Sequence, residues 1–82
     1  MKNKELLKKI ILNTSNVRFD DFARLVYAFG FELDRVKGSH HIFKRSGITE
    51  LINLQKVNGE IKPYQIKQFL ALIEKYNIEM GE

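Results

Sequence analysis

Two spacings of apolar residues alternate along the chain. Phe22, Leu25, Val26 and Phe29 recur at steps of three and four, which predicts a helix with one buried stripe. Asp20 suits its N-cap, Asp21 suits the positive end of its dipole, and Gly30 suits a left-handed stop. Ile66, Phe69, Leu70 and Ile73 repeat the same steps, continued by Tyr76, after Pro63 at a helix start. A third, shorter pattern in residues 2–13 sets Leu6, Leu7, Ile10 and Ile11 opposite lysines. It ends at Asn13-Thr14-Ser15-Asn16, residues that hydrogen-bond their own backbone. This first helix is expected to pack loosely, tied on by a polar hinge. Asn77 to Glu82 are expected to fray.

Between the helices the period drops to two. Phe31 to Val36 predicts a strand, with Phe31 and Leu33 on one face and Glu32 and Asp34 on the other. Lys37-Gly38-Ser39 reads as a turn, His40 to Arg45 as a second strand, and Ser46-Gly47 as another turn. Ile48 to Gln55, rich in aliphatic residues, reads as a third strand, and Lys56 to Glu60 as a loop. The expectation is an α+β fold of order α-β-β-β-α, with an extra N-terminal helix. A three-stranded antiparallel meander carries its helices on one face. This is the order of the double-stranded-RNA-binding domain. Phe22, Phe29, Phe43 and Phe69 are assigned to the core.

Composition narrows the function classes. The 82 residues hold no cysteine, which excludes disulfides, thiolate metal sites and a cysteine nucleophile. No apolar run is long enough to span a bilayer, and the N-terminus lacks the apolar region of a secretory signal. A cytoplasmic location is expected, with no membrane partner. The net charge of +4 is modest, but residues 1–9 and 35–45 are basic while the last nine are acidic. That asymmetry suits one face that meets phosphate.

The chemistry concentrates in Arg35-Val36-Lys37-Gly38-Ser39-His40-His41-Ile42-Phe43-Lys44-Arg45. Adjacent histidines on a strand point to opposite faces. One is therefore expected against the helices or the sheet edge and the other in solvent, and they make poor joint metal ligands. An exposed histidine beside Lys37, Lys44 and Arg45 can take a proton from a ribose 2′-hydroxyl and return one to the leaving 5′-oxygen. The cations would hold the phosphate, and the Gly38-Ser39 turn would let the backbone approach it. Residue chemistry alone leaves a second reading open, a hairpin with surface histidines. A further patch, Tyr64 and Gln65 flanked by Lys62 and Lys67, sits where a helix N-terminus attracts phosphate or a partner.

Gly30-Phe31, the segment Arg35 to Phe43, and Glu60-Ile61-Lys62-Pro63 together resemble the HicA toxins. These are small ribonucleases of toxin–antitoxin systems, also called mRNA interferases, on a double-stranded-RNA-binding-like fold. The resemblance covers about residues 20–77. It implies metal-independent cleavage of mRNA without a cofactor, and a HicB-like antitoxin that covers the site. It also implies one catalytic histidine, which falls on His40. Lys37, Gly38, Ser39, Lys44, Arg45 and Lys62 are expected to contact RNA, with His41 in a supporting role. The expected organisation is an extra helix and hinge over 1–18 and the HicA-type domain over 19–82. Two departures stand out. The lysine-rich first helix precedes the usual start of the family, and Arg45-Ser46 replaces a His-Pro step that many members carry after the second strand. A non-catalytic RNA-binding module, or a protein-interaction domain, is the alternative.

Overall fold

The computed structural model describes residues 1–81. It contains helix α1 (Asn3–Leu12), helix α2 (Phe19–Ala28), strands β1 (Glu32–Lys37), β2 (His40–Arg45) and β3 (Ile48–Gln55), and helix α3 (Pro63–Lys75). The strands form one antiparallel sheet in the order β1-β2-β3. This is the expected α+β architecture, with the α-β-β-β-α order of a double-stranded-RNA-binding-like domain behind an additional helix.

The core forms where the two apolar stripes meet one face of the sheet. Phe22, Leu25 and Val26 of α2, Ile66 and Phe69 of α3, and Phe43 and Leu54 of the sheet are fully buried. Phe69 lies at the centre, with its ring edge-on to Phe22, Phe29 and Phe31 at centroid distances of 5.4, 5.7 and 5.5 Å. Offset and edge-to-face packing of this kind adds to the gain from burial alone.

Helices α2 and α3 close in the same way. After α2, Gly30 N–H donates to Tyr27 C=O and Phe31 N–H to Val26 C=O, with Gly30 at φ +88°. After α3, Asn77 N–H donates to Glu74 C=O and Ile78 N–H to Ile73 C=O, with Asn77 at φ +52°. These paired bonds satisfy the last free carbonyls of each helix and direct an apolar residue, Phe31 or Ile78, back onto the core.

Three local expectations need correction. Asp20 is not the N-cap of α2; that position is Arg18, without a side-chain cap. The chain is instead led into the helix by backbone pairing, Phe19 N–H to Gly59 C=O and Ile61 N–H to Val17 C=O. Asp20 therefore lies in the first turn, where it meets Lys56 at 3.7 Å. Helix α1 is docked rather than loose: Leu6 and Ile10 are buried in the common core. Arg24 holds its start by donating to Asn3 Oδ1 and Met1 C=O, both at 2.9 Å. The segment after α3 is also anchored, since Gly81 N–H donates to Ala28 C=O at 2.8 Å and Ile78 and Met80 pack on the core. Glu82, the end of the stretch expected to fray, lies outside the described residues.

Strand β1 departs from its expected alternation. A bulge between Leu33 and Arg35 sets Asp34 and Arg35 together against Ile42. All six of its residues are exposed, because β1 is an edge strand and the helices cover β2 and β3. Phe31 is buried just before the strand, while Leu33 is 39% exposed.

Candidate functional site

Register decides which side chains share a face. On the side away from the helices, Lys37, His40 and Gln55 form one cross-strand row, and Arg35, Ile42 and Asn53 form the next. On the helix side the rows are Val36-His41-Leu54 and Leu33-Phe43-Ile52. The two histidines are thus separated by the sheet, as strand geometry requires.

His40 is exposed at the start of β2, directly after the Gly38-Ser39 turn, with Gly38 at φ +59°. Its Nδ1 lies 3.1 Å from Asn53 Oδ1. His41 is half-buried; its ring lies tilted on Phe19 at 4.6 Å, and its Nδ1 is 3.1 Å from Ser39 C=O. One histidine presents its ring to solvent while the other braces the turn that carries the first.

The turn is held from β3. Lys56 N–H donates to Ser39 C=O at 2.9 Å, and Gln55 Nε2 donates to Ser39 Oγ at 3.3 Å. Gln65, the one buried polar side chain among the described residues, grips the free edge of β3. Its Oε1 accepts from Gln55 N–H at 3.1 Å, and its Nε2 donates to Asn53 C=O at 3.4 Å. A carboxamide thereby takes the place of a neighbouring strand's peptide group and satisfies an edge. Gln65 is therefore withdrawn from the surface patch expected of it, whereas Tyr64 beside it is 53% exposed.

The cations divide. Lys37 is exposed on β1 directly opposite His40, and Lys44 is exposed four residues further along β2, opposite Glu32. Asp34, beside which the bulge brings Arg35 onto this face, pairs with Lys44 at 3.4 Å and with Arg35. Hydrogen bonds from Lys44 and then Arg35 hold its carboxyl below the usual carboxylate value. Lys62 is exposed at the start of α3, where its carbonyl accepts from Gln65 N–H. Arg45 stands apart from the expected set. Two residues beyond Phe43, it turns to the helix side, where its Nε donates to Phe29 C=O at 3.0 Å. That bond serves the C-terminal end of α2.

Asn53 and Gln55 carry no such expectation in the sequence. Asn53 and Gln55 read there as ordinary polar positions of a strand, and only pairing register brings them to His40 and Ser39. The signal that was available is the alternation Asn53-Leu54-Gln55, which puts two amides on one face. No group of three or more His, Cys, Asp or Glu that could hold a metal ion occurs among the described residues. None of their helices is long and apolar enough to cross a membrane.

Fold and site together define a small α+β domain whose uncovered sheet face carries one exposed histidine beside lysines and a glycine turn. A family model described as HicA toxin of bacterial toxin-antitoxin matches residues 19–74. The chain belongs to this family, and is a toxin of a toxin–antitoxin system, with an antitoxin as the implied partner. No curated protein and no solved structure gives a significant match to the chain.

Proposed function

We propose that the protein is an endoribonuclease that cleaves mRNA in the cytoplasm, with His40 as general acid and base. The observation that carries the reading is the exposed His40 ring on the open face, with Lys37 directly across from it on β1 and the Gly38-Ser39 turn just before it. Neutral imidazole removes the 2′-hydroxyl proton, the 2′-oxygen attacks the adjacent phosphorus, and imidazolium protonates the departing 5′-oxygen. The products are a 2′,3′-cyclic phosphate and a free 5′-hydroxyl. Internal attack of this kind needs neither a metal nor a cofactor.

Lys37, Lys44 and Lys62, with the Gly38 and Ser39 backbone and hydroxyl, contact the RNA backbone. Arg45 is a structural residue in this reading, because its Nε is committed to Phe29. His41 supports His40 indirectly by holding the Ser39 carbonyl. The antitoxin is HicB-like and neutralises the toxin by covering the open face. Residues 19–82 form the HicA-type domain, and residues 1–18 add a docked helix and its connection.

Expression in cells tests the reading. The wild-type chain should arrest growth and deplete mRNA, whereas His40→Ala should do neither while remaining folded. Equal toxicity of the two would remove His40 from the chemistry. RNA that is bound but recovered intact from the wild-type protein would make it a binding module instead.

A further inference from the structure

We propose that Asn53 is a positioning residue that holds the neutral His40 ring with its proton on Nδ1, so that Nε2 is the basic atom presented to RNA. The proposal rests on the ribonuclease reading of His40 and specifies which ring nitrogen does the work.

An imidazole in water exchanges between two neutral tautomers, and only the unprotonated nitrogen can accept a proton. An amide oxygen can only accept a hydrogen bond. With Asn53 Oδ1 at 3.1 Å from His40 Nδ1, Nδ1 must be the donor, and the lone pair is left on Nε2. The contact also fixes the rotation of a side chain that packing does not restrain, since His40 is exposed on a face without helices. Fixing tautomer and ring orientation through the second nitrogen is the role that carboxylates and carbonyls play for histidines in other sites.

Asn53 is itself held. It sits on β3 opposite Ile42, two residues along and on the same face as the His40–Gln55 pair. Its carbonyl accepts from the buried Gln65 side chain, which also takes the Gln55 N–H. The last turns of β3 are thereby locked to α3 from the free edge, and Gln55 reaches from the same segment to Ser39. Gln65, Asn53 and His40 make a connected path from the core to the exposed ring.

The test pairs a spectroscopic readout with kinetics, using the whole chain and a single-stranded RNA. Long-range nitrogen–proton NMR correlations report the tautomer of neutral His40. Wild type should carry the proton on Nδ1, and Asn53→Leu, which removes the acceptor, should shift it toward Nε2. Asn53→Leu should lower kcat about tenfold, the scale of one lost hydrogen bond, with KM little changed. Asn53→Asp keeps an accepting oxygen, so it should retain the tautomer and most of kcat. Its added negative charge should appear in KM.

A wild-type His40 protonated on Nε2 overturns the proposal, as does an Asn53→Leu protein with unchanged tautomer and kcat. An equal loss of kcat in Asn53→Asp and Asn53→Leu would also overturn it, because the accepting oxygen would then not be what matters. A wild type that leaves RNA uncut, or a His40→Ala protein that cuts as well as wild type, sinks the ribonuclease reading and the catalytic half of this proposal with it. The tautomer measurement decides the contact in either case.

Discussion

Strand β2 serves two environments at once. His41, Phe43 and Arg45 face the helices, where each meets a defined partner: the Phe19 ring, the Tyr27 ring and the Phe29 carbonyl. His40, Ile42 and Lys44 face the open side, where no helix packs. Side chains on the first face are chosen by shape, because interiors are packed to near-crystalline density. Side chains on the second face carry little packing energy, so titratable groups can stand there at small cost to the fold. The chain thus separates the residues that build the domain from those that could act on a ligand by a single one-residue alternation.

The largest expected stability effect comes from the packed face. Phe43→Ala should destabilise the protein by about 3–5 kcal/mol, measured by urea unfolding. Ile42→Ala, its neighbour on the other face, should cost below about 1 kcal/mol. Comparable losses at the two positions would break the division between the faces.

Next in size is the contact between β2 and the end of α2. Gly30 needs φ +88°, and a Cβ there would stand 2.9 Å from Arg45 Nε. Gly30→Ala should cost about 1–2 kcal/mol from the left-handed backbone alone, with a further steric part. Thermal melts of Gly30→Ala in an Arg45→Ala background should show that steric part gone. A loss of the same size in both backgrounds would mean that Arg45 does not fill the space above Gly30.

On the open face the sharpening experiment concerns Asp34, which ties up Lys44 and Arg35. Asp34→Asn should tighten RNA binding several-fold and steepen its salt dependence by about one to two ions, read by fluorescence anisotropy across a salt series. Unchanged or weaker binding would show that Lys44 and Arg35 do not meet phosphate.

A smaller, pH-dependent effect lies at the far end of β3. Glu50 accepts hydrogen bonds from the Tyr76 hydroxyl and from Lys75. These, in that order, lower its carboxyl from 4.5 to about 2. A lowered folded-state value means the contribution is complete above about pH 4.5 and is lost as the pH falls toward 2. The stability difference between wild type and Glu50→Gln should therefore be constant near neutrality and shrink across that acid window. A difference independent of pH would contradict the assignment.

The apolar spacing made most of this legible in advance. The stripes of α2 and α3, the three strands, the stop at Gly30 and the start at Pro63 follow from period and turn chemistry alone. So does the separation of His40 from His41. What the spacing did not carry is pairing. The bulge at Asp34, the turn of Arg45 toward Phe29, and the reach of Asn53 and Gln55 to the histidine turn depend on register between strands distant in sequence. Gln65 misled for a related reason. An amide at a helix start reads as surface, and only the unpaired edge of β3 gives it a buried use. The docking of α1 was hidden because Leu6 and Ile10 need partners that no local pattern names.

The central claim, that His40 acts on the ribose 2′-hydroxyl, is tested most directly by the products of cleavage. Purified protein and a single-stranded RNA, incubated with excess EDTA, should yield fragments ending in 2′,3′-cyclic phosphate. His40→Ala should slow their formation by roughly 10²–10⁴, and a 2′-deoxy substitution at the cut site should stop it. Cleavage that persists at the deoxy position, or that EDTA abolishes, would contradict the account.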